Sequence, residues 1–582
     1  MSDTGECVNS SVQPARRYRR IRADFWCLLA LIVVVGSFTV WWMHHDINSF
    51  TVQPYGDQAW VQASAQVAMQ SGPFATNEHA GWFSGFNPWA YPGLSSLGFY
   101  VGAWLLGLVS DSSSNVLVGV MGATAVLVAL ATYLALRLAP PRRVVPVVAF
   151  WGAMAMGLSP YVLSKMGHYS VAAWYLLPVT IAVIGVLTRD VSARIRWLAL
   201  GALALTSLIS PLWWVFIDGY FLILAIAISL VLRKWRWVRQ VALVLGALVV
   251  GGLLPGYLTV VNTVPGGSTN RQPWDSTYFS GSLVDFIVGS SWLNSAIPRL
   301  ETVLPGASHE LSAVGLIPAL AAIAAVIIAA GAFIGLGPSW RQGSAWILVT
   351  LQLVLLSFLT LGLGTVQEAL LALLGFESPL RGWSRLSVVV ALLGMMLIAP
   401  WISDRVSAMR GWRRAPRLAV LSAATAVTAL IVILDATHIV LMPPRGLPTL
   451  EELPAVQYLA SQGDCPVAQL PVGSFPDFPM ADGSAESITY FYRGFVPYVL
   501  NPQGKWSFGA AAGTPSDLLM RSLPPVTGTA NFAALKSAGY CAVLYDKQYS
   551  AWVQTKNLAW HAQSLRGVKP SWTSDRFDVY LL

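Results

Sequence analysis

Apolar stretches of membrane-crossing length constrain this chain more than any other feature. FWCLLALIVVVGSFTVWWM (25–43) and VGLIPALAAIAAVIIAAGAFIGLG (314–337) are each long enough to cross a hydrocarbon core of ~30 Å. Similar runs recur over most of the first 440 residues. A soluble core hides one or two such helices, not a whole series. Charged residues make up 11% of the chain and apolar ones 55%, whereas a soluble domain carries about 25% charged residues. The sequence predicts an α-helical polytopic membrane protein.

The N-terminus has a signal-peptide look, with RRYRRIR (16–22) ahead of an apolar stretch. That stretch is too long, ends in WWMHH and has no small-residue cleavage site. It reads as a retained first helix with its basic flank in the cytoplasm. The net charge of +9 then reports orientation, and no nucleic-acid partner is expected.

The basic loops set the topology. RLAPPRR (137–143), TRDVSARIR (188–196), RKWRWVR (233–239), PSWRQ (338–342) and DRVSAMRGWRRAPR (404–417) should all be cytoplasmic. They fall on one side only if residues 94–110 lie in the interface or re-enter, rather than cross. About eleven spans result, near 25–43, 115–137, 145–162, 169–187, 195–210, 213–232, 240–261, 314–336, 343–363, 386–403 and 417–440. A cytoplasmic tail (1–24) precedes this transmembrane domain (25–442). Its long loops, 44–114 and 262–313, face outward, and loops of that length usually carry function.

The last stretch, 443–582, has a different character. Strand-like runs CPVAQLPV (465–472), YCAVLYD (540–546) and FDVYLL (577–582) alternate with loops and a helix-like LEELPAVQYLAS (450–461). It reads as a small extracytoplasmic α/β domain. Cys465 and Cys541 both lie in it, and can pair in an oxidising compartment if their strands are neighbours. No CxxC or Cys/His cluster suggests a metal. Walker, GxSxG, HExxH and DxD motifs are absent, which disfavours ATP-driven transport and zinc hydrolysis.

Five stretches hold residues suited to chemistry. In YGDQAWVQASAQVAMQSG (55–72), Asp57 begins a helix-forming segment that Gly72-Pro73 ends. A carboxylate at a helix N-terminus is favoured in its ionised form, and so can act as a base; the plainer role is an N-cap. WFSGFNPWAYPG (82–93) offers Trp82, Asn87, Trp89 and Tyr91, which together with Trp60 can line a sugar or lipid cavity or form an interfacial belt. SPYVLSKMGHYS (159–170) puts Lys165 and His168 outside, and SPLRGWSR (378–385) does the same for Arg381 and Arg385. Such groups suit a lipid phosphate, arginine forks above all, or else snorkel. Asp218, in WWVFIDGYF (213–221), is an intramembrane acid and hence a candidate for the same cavity.

Taken in order, these segments resemble the GT-C superfamily of polytopic glycosyltransferases. The resemblance rests on Asp57, Trp60, Ala63 and Gly72 early in the first external loop, then 82–93, SPYVLSKMGHYSVAAWYLLP and ESPLRGWSRLSVVV. In the tail it rests on LPVG, YFYRG and YCAVLYD. It implies a plasma-membrane enzyme with a polyprenyl-phosphate sugar as donor substrate and no cofactor. A glycan, lipid or protein of the cell envelope would be the acceptor. It also implies Asp57 as base in an inverting transfer, with Arg381, Arg385, His168 and Lys165 at the donor phosphate. Many relatives carry a second acid beside the first; Gln58 stands there instead. A lipid-linked glycan flippase and a polysaccharide polymerase or ligase remain as alternatives.

Overall fold

A computed structural model describes residues 12–50, 57–90, 96–140, 144–165, 168–263, 314–333, 373, 383–441, 451–473, 492–524, 528–555, 565 and 567–582. The membrane part comprises α1 (Val12–Phe50), α2 (Asp57–Ser71), α3 (Leu97–Gly107), α4 (Ser113–Leu138), α5 (Pro146–Gly157), α6 (Pro160–Ser164), α7 (Tyr169–Ala172), α8 (Leu176–Leu187), α9 (Ala193–Ile209), α10 (Leu212–Val231), α11 (Trp235–Asn262), α12 (Leu316–Phe333), α13 (Ser387–Ala408) and α14 (Arg414–Leu441). Among the described residues, eight helical stretches have the length and apolarity to cross a membrane. The expected span 343–363 lies outside the described residues.

The bundle's surface carries the signature of lipid contact. On α1, Leu31, Val35 and Trp42 are buried, while Phe25, Trp26, Ile32, Val33 and Trp41 are exposed. On α14, Leu418, Val427, Leu430 and Ile433 face outward. Large apolar side chains on both faces of a helix require an apolar solvent. Inside, small residues let helices close on one another, as is usual where lipid removes the hydrophobic drive between them. A Cβ on Gly251 of α11 would collide with the Ala204 carbonyl of α9, and one on Gly394 of α13 with Ala322 of α12.

α3 has 11 residues, a length of ~16 Å at 1.5 Å per residue, too short to cross. Ser96 caps it and also donates to the Ile209 carbonyl, which pins its start to the end of α9. This agrees with a re-entrant or interfacial 94–110. Two expected spans are broken rather than continuous. In 145–162, α5 stops at Gly157 and Ser159-Pro160 starts α6; in 169–187, α7 stops at Ala172 and α8 begins at Leu176.

The bundle has two chemically distinct ends. At one, Asp24 of α1 pairs with Arg137 of α4 at 2.7 Å. There also Arg189 donates to the Arg137 carbonyl, Gln240 to the Leu187 carbonyl, and the Val145 N–H to Ser403. The described parts of loops 137–143, 188–196, 233–239 and 404–417 all gather at this end. At the other end, Gln62 of α2 donates to Ser114 at the start of α4 (2.9 Å) and Asn87 to Asn262 at the end of α11 (2.8 Å). The Leu316 N–H, opening α12, donates to Asp435 near the end of α14 (2.7 Å).

The C-terminal domain sits on this second end. It comprises α15 (Glu452–Ser461), β1 (Val467–Leu470), α16 (Val496–Leu500), α17 (Pro515–Ser522), α18 (Gly528–Ser537), β2 (Ala542–Asp546), α19 (Lys547–Thr555), β3 (Trp572–Thr573) and β4 (Phe577–Leu581). The sheet order is β1-β2-β4-β3; β1 and β2 run parallel, and the other pairs antiparallel. Each of the three expected strand runs contains a strand; the two-residue β3 is too short to carry a periodic signal. The Trp82 N–H donates to the Trp506 carbonyl and Tyr540 to the Trp82 carbonyl, so the 76–90 loop is clamped to this domain. Tyr498 donates to Gln70 of α2 at 2.8 Å, and burial holds that phenol well above its ordinary pKa.

This arrangement predicts opposite labelling of the two ends. With the free cysteines replaced, single cysteines at the exposed Arg410 and Ser537 should react with an impermeant maleimide from opposite sides, Ser537→Cys from outside. Labelling of both from one side would overturn the topology.

Candidate functional site

The first turn of α2 is where separate stretches of the chain converge. The backbone opens α2 at Asp57, directly after the first span; the Asp57 side chain lies outside the described residues. Gly72, with φ of +88°, follows its last residue in the left-handed region that ends helices. Within the first turn Trp60 is buried. Its ring meets His168 edge-on at 6.4 Å and Tyr492 of the C-terminal domain at 5.0 Å. The segment after the first span, the break between two spans and the C-terminal domain thus share one aromatic junction.

Lys165 and His168 belong to the break between α6 and α7. Lys165 caps α6, and its carbonyl accepts from the His168 N–H at 2.8 Å. Nδ1 of His168 lies 3.0 Å from the Ser170 hydroxyl. Both residues are half-buried. A lysine ammonium and an imidazole held at the end of an apolar bundle can both donate to an anion. The segment is fixed beneath by Tyr169, whose ring lies 4.7 Å from Phe99, and by Tyr175, which donates to the Ile209 carbonyl.

Arg385 reaches the same end from another direction. It lies in a 3-10 turn, Trp383–Leu386, that leads into α13. Its guanidinium stacks over Trp213, at the start of α10, at 4.8 Å. α10 packs against α7, which follows His168 directly. Arg385 is thus anchored on α10, a helix that also touches α7. Arg381 and Tyr91 lie outside the described residues.

The remaining expected residues have identifiable partners. Trp82 takes Lys505 over its ring at 4.9 Å, beside the C-terminal domain. Asn87 donates to Asn262 and Thr76, and its carbonyl oxygen accepts from the Trp89 N–H. Trp89 is buried, donates to the Pro73 carbonyl and stacks on Phe74. These three hold the 76–90 loop in shape beside α2. Asp218 is fully buried between α10 and α8; one oxygen accepts from Thr180 at 2.8 Å. Among the described residues, no group of three or more His, Cys, Asp or Glu side chains is placed to hold a metal.

Tyr492 and Trp213 were not singled out in the sequence. Tyr492 adopts φ of +54°, a left-handed conformation uncommon for a bulky residue, and such conformations cluster at functional sites. Its motif, YFYRG, was visible; its contact with α2 was not.

No family model matches the chain, and no curated protein matches its sequence. Similarity appears among solved structures. The oligosaccharyltransferase of Archaeoglobus fulgidus, tethered to an acceptor peptide with an NVT sequon, aligns over 93% of this chain and 71% of its own at 10% identity, with a TM-score of 0.51. ArnT from Cupriavidus metallidurans bound to undecaprenyl phosphate aligns over 95% and 97% at 15% identity, with a TM-score of 0.43. The first of these matches spans the bundle and the C-terminal domain together, and the chain shares the fold of that protein.

Proposed function

We propose that this chain transfers a sugar from a polyprenyl-phosphate carrier to a cell-envelope glycan, lipid or protein acceptor at the outer membrane face. The convergence on the first turn of α2 carries this reading. An acid that follows the first span begins the turn, and a histidine and a soluble-domain tyrosine flank its tryptophan. The Archaeoglobus fulgidus protein of the same fold is an oligosaccharyltransferase with an acceptor peptide, which supports a transfer reaction.

Asp57 takes the proton of an acceptor hydroxyl as its oxygen attacks the anomeric carbon. The bond from that carbon to the phosphate oxygen breaks, and its electron pair leaves with the lipid phosphate. Attack and departure occur on opposite faces, so the configuration inverts. Lys165, His168 and Arg385, with Arg381, neutralise the departing phosphate. A water-poor surroundings strengthens each of these charges. The donor is anchored by its own lipid, so no nucleotide site is needed.

A transporter would share one observed feature, the broken helices at 158–159 and 173–175. Transfer by the purified chain in nanodiscs, with polyprenyl-phosphate sugars and envelope extracts, separates the two. New glycosylated product supports the transferase. Movement of labelled lipid across sealed vesicles without product would replace it with the flippase. In the same assay Arg385→Lys should raise the donor KM ~10-fold, because a point charge replaces a planar fork.

A further inference from the structure

The turn that carries Tyr492 is held from several sides. Tyr492 precedes a 3-10 turn, Arg493–Phe495, that leads into α16 and packs against α2. Its left-handed backbone is disfavoured for a bulky residue, so neighbouring contacts must hold it there. Each residue after it is fixed. Arg493 makes a two-pronged contact to Glu452 and lies 3.6 Å from Glu451. Gln469 of β1 donates to the Gly494 carbonyl at 2.8 Å, and a Cβ on Gly494 would collide with the Phe508 ring. Phe495 meets Phe508 edge-on at 4.9 Å and packs on Phe86 of the 76–90 loop at 5.1 Å.

The charges behind this turn form one network. Glu451 is shared by Arg493 and Arg576, and Arg576 also bonds Asp546, at the end of β2, at 2.7 Å. Glu452 and Arg576 are almost wholly buried. A buried pair that loses one member leaves the other charge uncompensated, so the network favours one placement of Arg493. It joins the start of α15, the first described helix after α14, to the sheet and to the Tyr492 turn.

We infer that Arg493, Glu451 and Glu452 are positioning residues: they hold Tyr492 on Trp60 and so brace the first turn of α2 from the C-terminal domain. The catalytic consequence of this brace rests on the transferase reading. The route runs contact by contact. Tyr492 lies 5.0 Å from Trp60, and Trp60 meets His168 at 6.4 Å. α2 has a separate tie at its far end, where Tyr498 donates to Gln70 at 2.8 Å and Gln70 donates to the Pro502 carbonyl at 3.2 Å. Release of the Tyr492 turn should therefore loosen the start of α2 and spare its end.

The test is hydrogen–deuterium exchange of the full chain in nanodiscs, read beside the transfer assay. The probes are the amides of residues 61–64, which bond to the carbonyls of the first turn, against those of residues 68–71. Arg493→Lys keeps the charge but replaces a planar fork by a point charge. Tyr492→Asn removes the ring and keeps a residue that tolerates the left-handed backbone. Each should speed exchange at 61–64 ~10-fold, about the loss of one well-oriented contact, and leave 68–71 unchanged. Each should also lower kcat ~10-fold, by the same loss, with the donor KM unchanged. The double variant should be no worse than the worse single one, because both act through one contact. Arg521→Lys, which alters the ion pair with Asp517 inside α17, should move neither readout. Effects that multiply in the double variant, exchange at 61–64 unmoved by Tyr492→Asn, loss of protection along the whole of α2, or an unchanged kcat despite faster exchange would each overturn the inference. Tyr492→Asn leaves the ion pairs in place, so it decides the matter even if Arg493→Lys does not fold. If exchange responded as expected while the native chain transferred no sugar, the transferase reading would fall and the brace would stand.

Discussion

Asp57→Asn should abolish sugar transfer while the protein still reaches the membrane and folds. A general base is typically worth ~10²–10⁴ in rate. Asparagine keeps the size of aspartate and much of its ability to cap a helix, so α2 should still begin where it does now. What asparagine cannot do is accept the proton of an attacking hydroxyl. Asp46→Asn is the control, because Asp46 lies inside α1 with no motif around it. The readout is initial transfer rate per mole of protein, with binding of Tyr498 to Gln70 and the rest of the α2 platform checked by a thermal unfolding profile. Near-native transfer by Asp57→Asn together with loss in Asp46→Asn would move the base to Asp46. Near-native transfer by both would leave the proposed chemistry without a base.

Much of the architecture could be read from the sequence because its determinants are local. Hydrocarbon thickness sets the length of a span, and loop charge sets its direction, so the run of helices and the gathering of basic loops at one end both follow from short windows. The short α3 is the clearest case. The charge pattern requires 94–110 not to cross, and the helix there has 11 residues. The breaks at 158–159 and 173–175 were missed for a physical reason. Hydropathy measures whether a segment tolerates lipid; it is silent on where the backbone hydrogen bonds are interrupted. Ser159-Pro160 did hold a signal, since a serine N-cap followed by proline is a helix start. It was hidden by the apolar run around it.

The site was legible as a set of residues but not as an arrangement. Asp57, Trp60 and His168 are visible as types in plausible loops, yet the contact of Trp60 with His168 joins segments with four helices between them. The contact of Trp60 with Tyr492 crosses most of the chain. Neither has a local signature. The structural roles of Asn87 and Trp89 were equally hidden, because their partners Asn262 and Pro73 are set by how the loop folds over α11 and α2.

Loss of the bond between Cys465 and Cys541 should be the most damaging change to the C-terminal domain. The two cysteines stand immediately before or near the starts of the parallel strands β1 and β2, with Cα atoms 5.7 Å apart, and they are disulfide-bonded. The bond closes a loop across a separation of 76 residues. A loop of that size removes much entropy from the unfolded domain, and a native disulfide is typically worth ~2–4 kcal/mol. The Cys465→Ser/Cys541→Ser double variant should therefore unfold at a lower denaturant concentration, read by pulse proteolysis of the domain. Cys27→Ser, which alters a cysteine not bonded to another and placed in α1, should leave that midpoint where it was. An unchanged midpoint in the double variant would remove the bond's stabilising role. The same pair also reports on topology. A disulfide persists only in an oxidising compartment, so in cells Cys465 and Cys541 should resist alkylation until a reductant is added. Free alkylation of both would place the domain on the reducing side, turn the bundle over and put the first turn of α2 in the cytoplasm, where an outer-face transfer cannot occur.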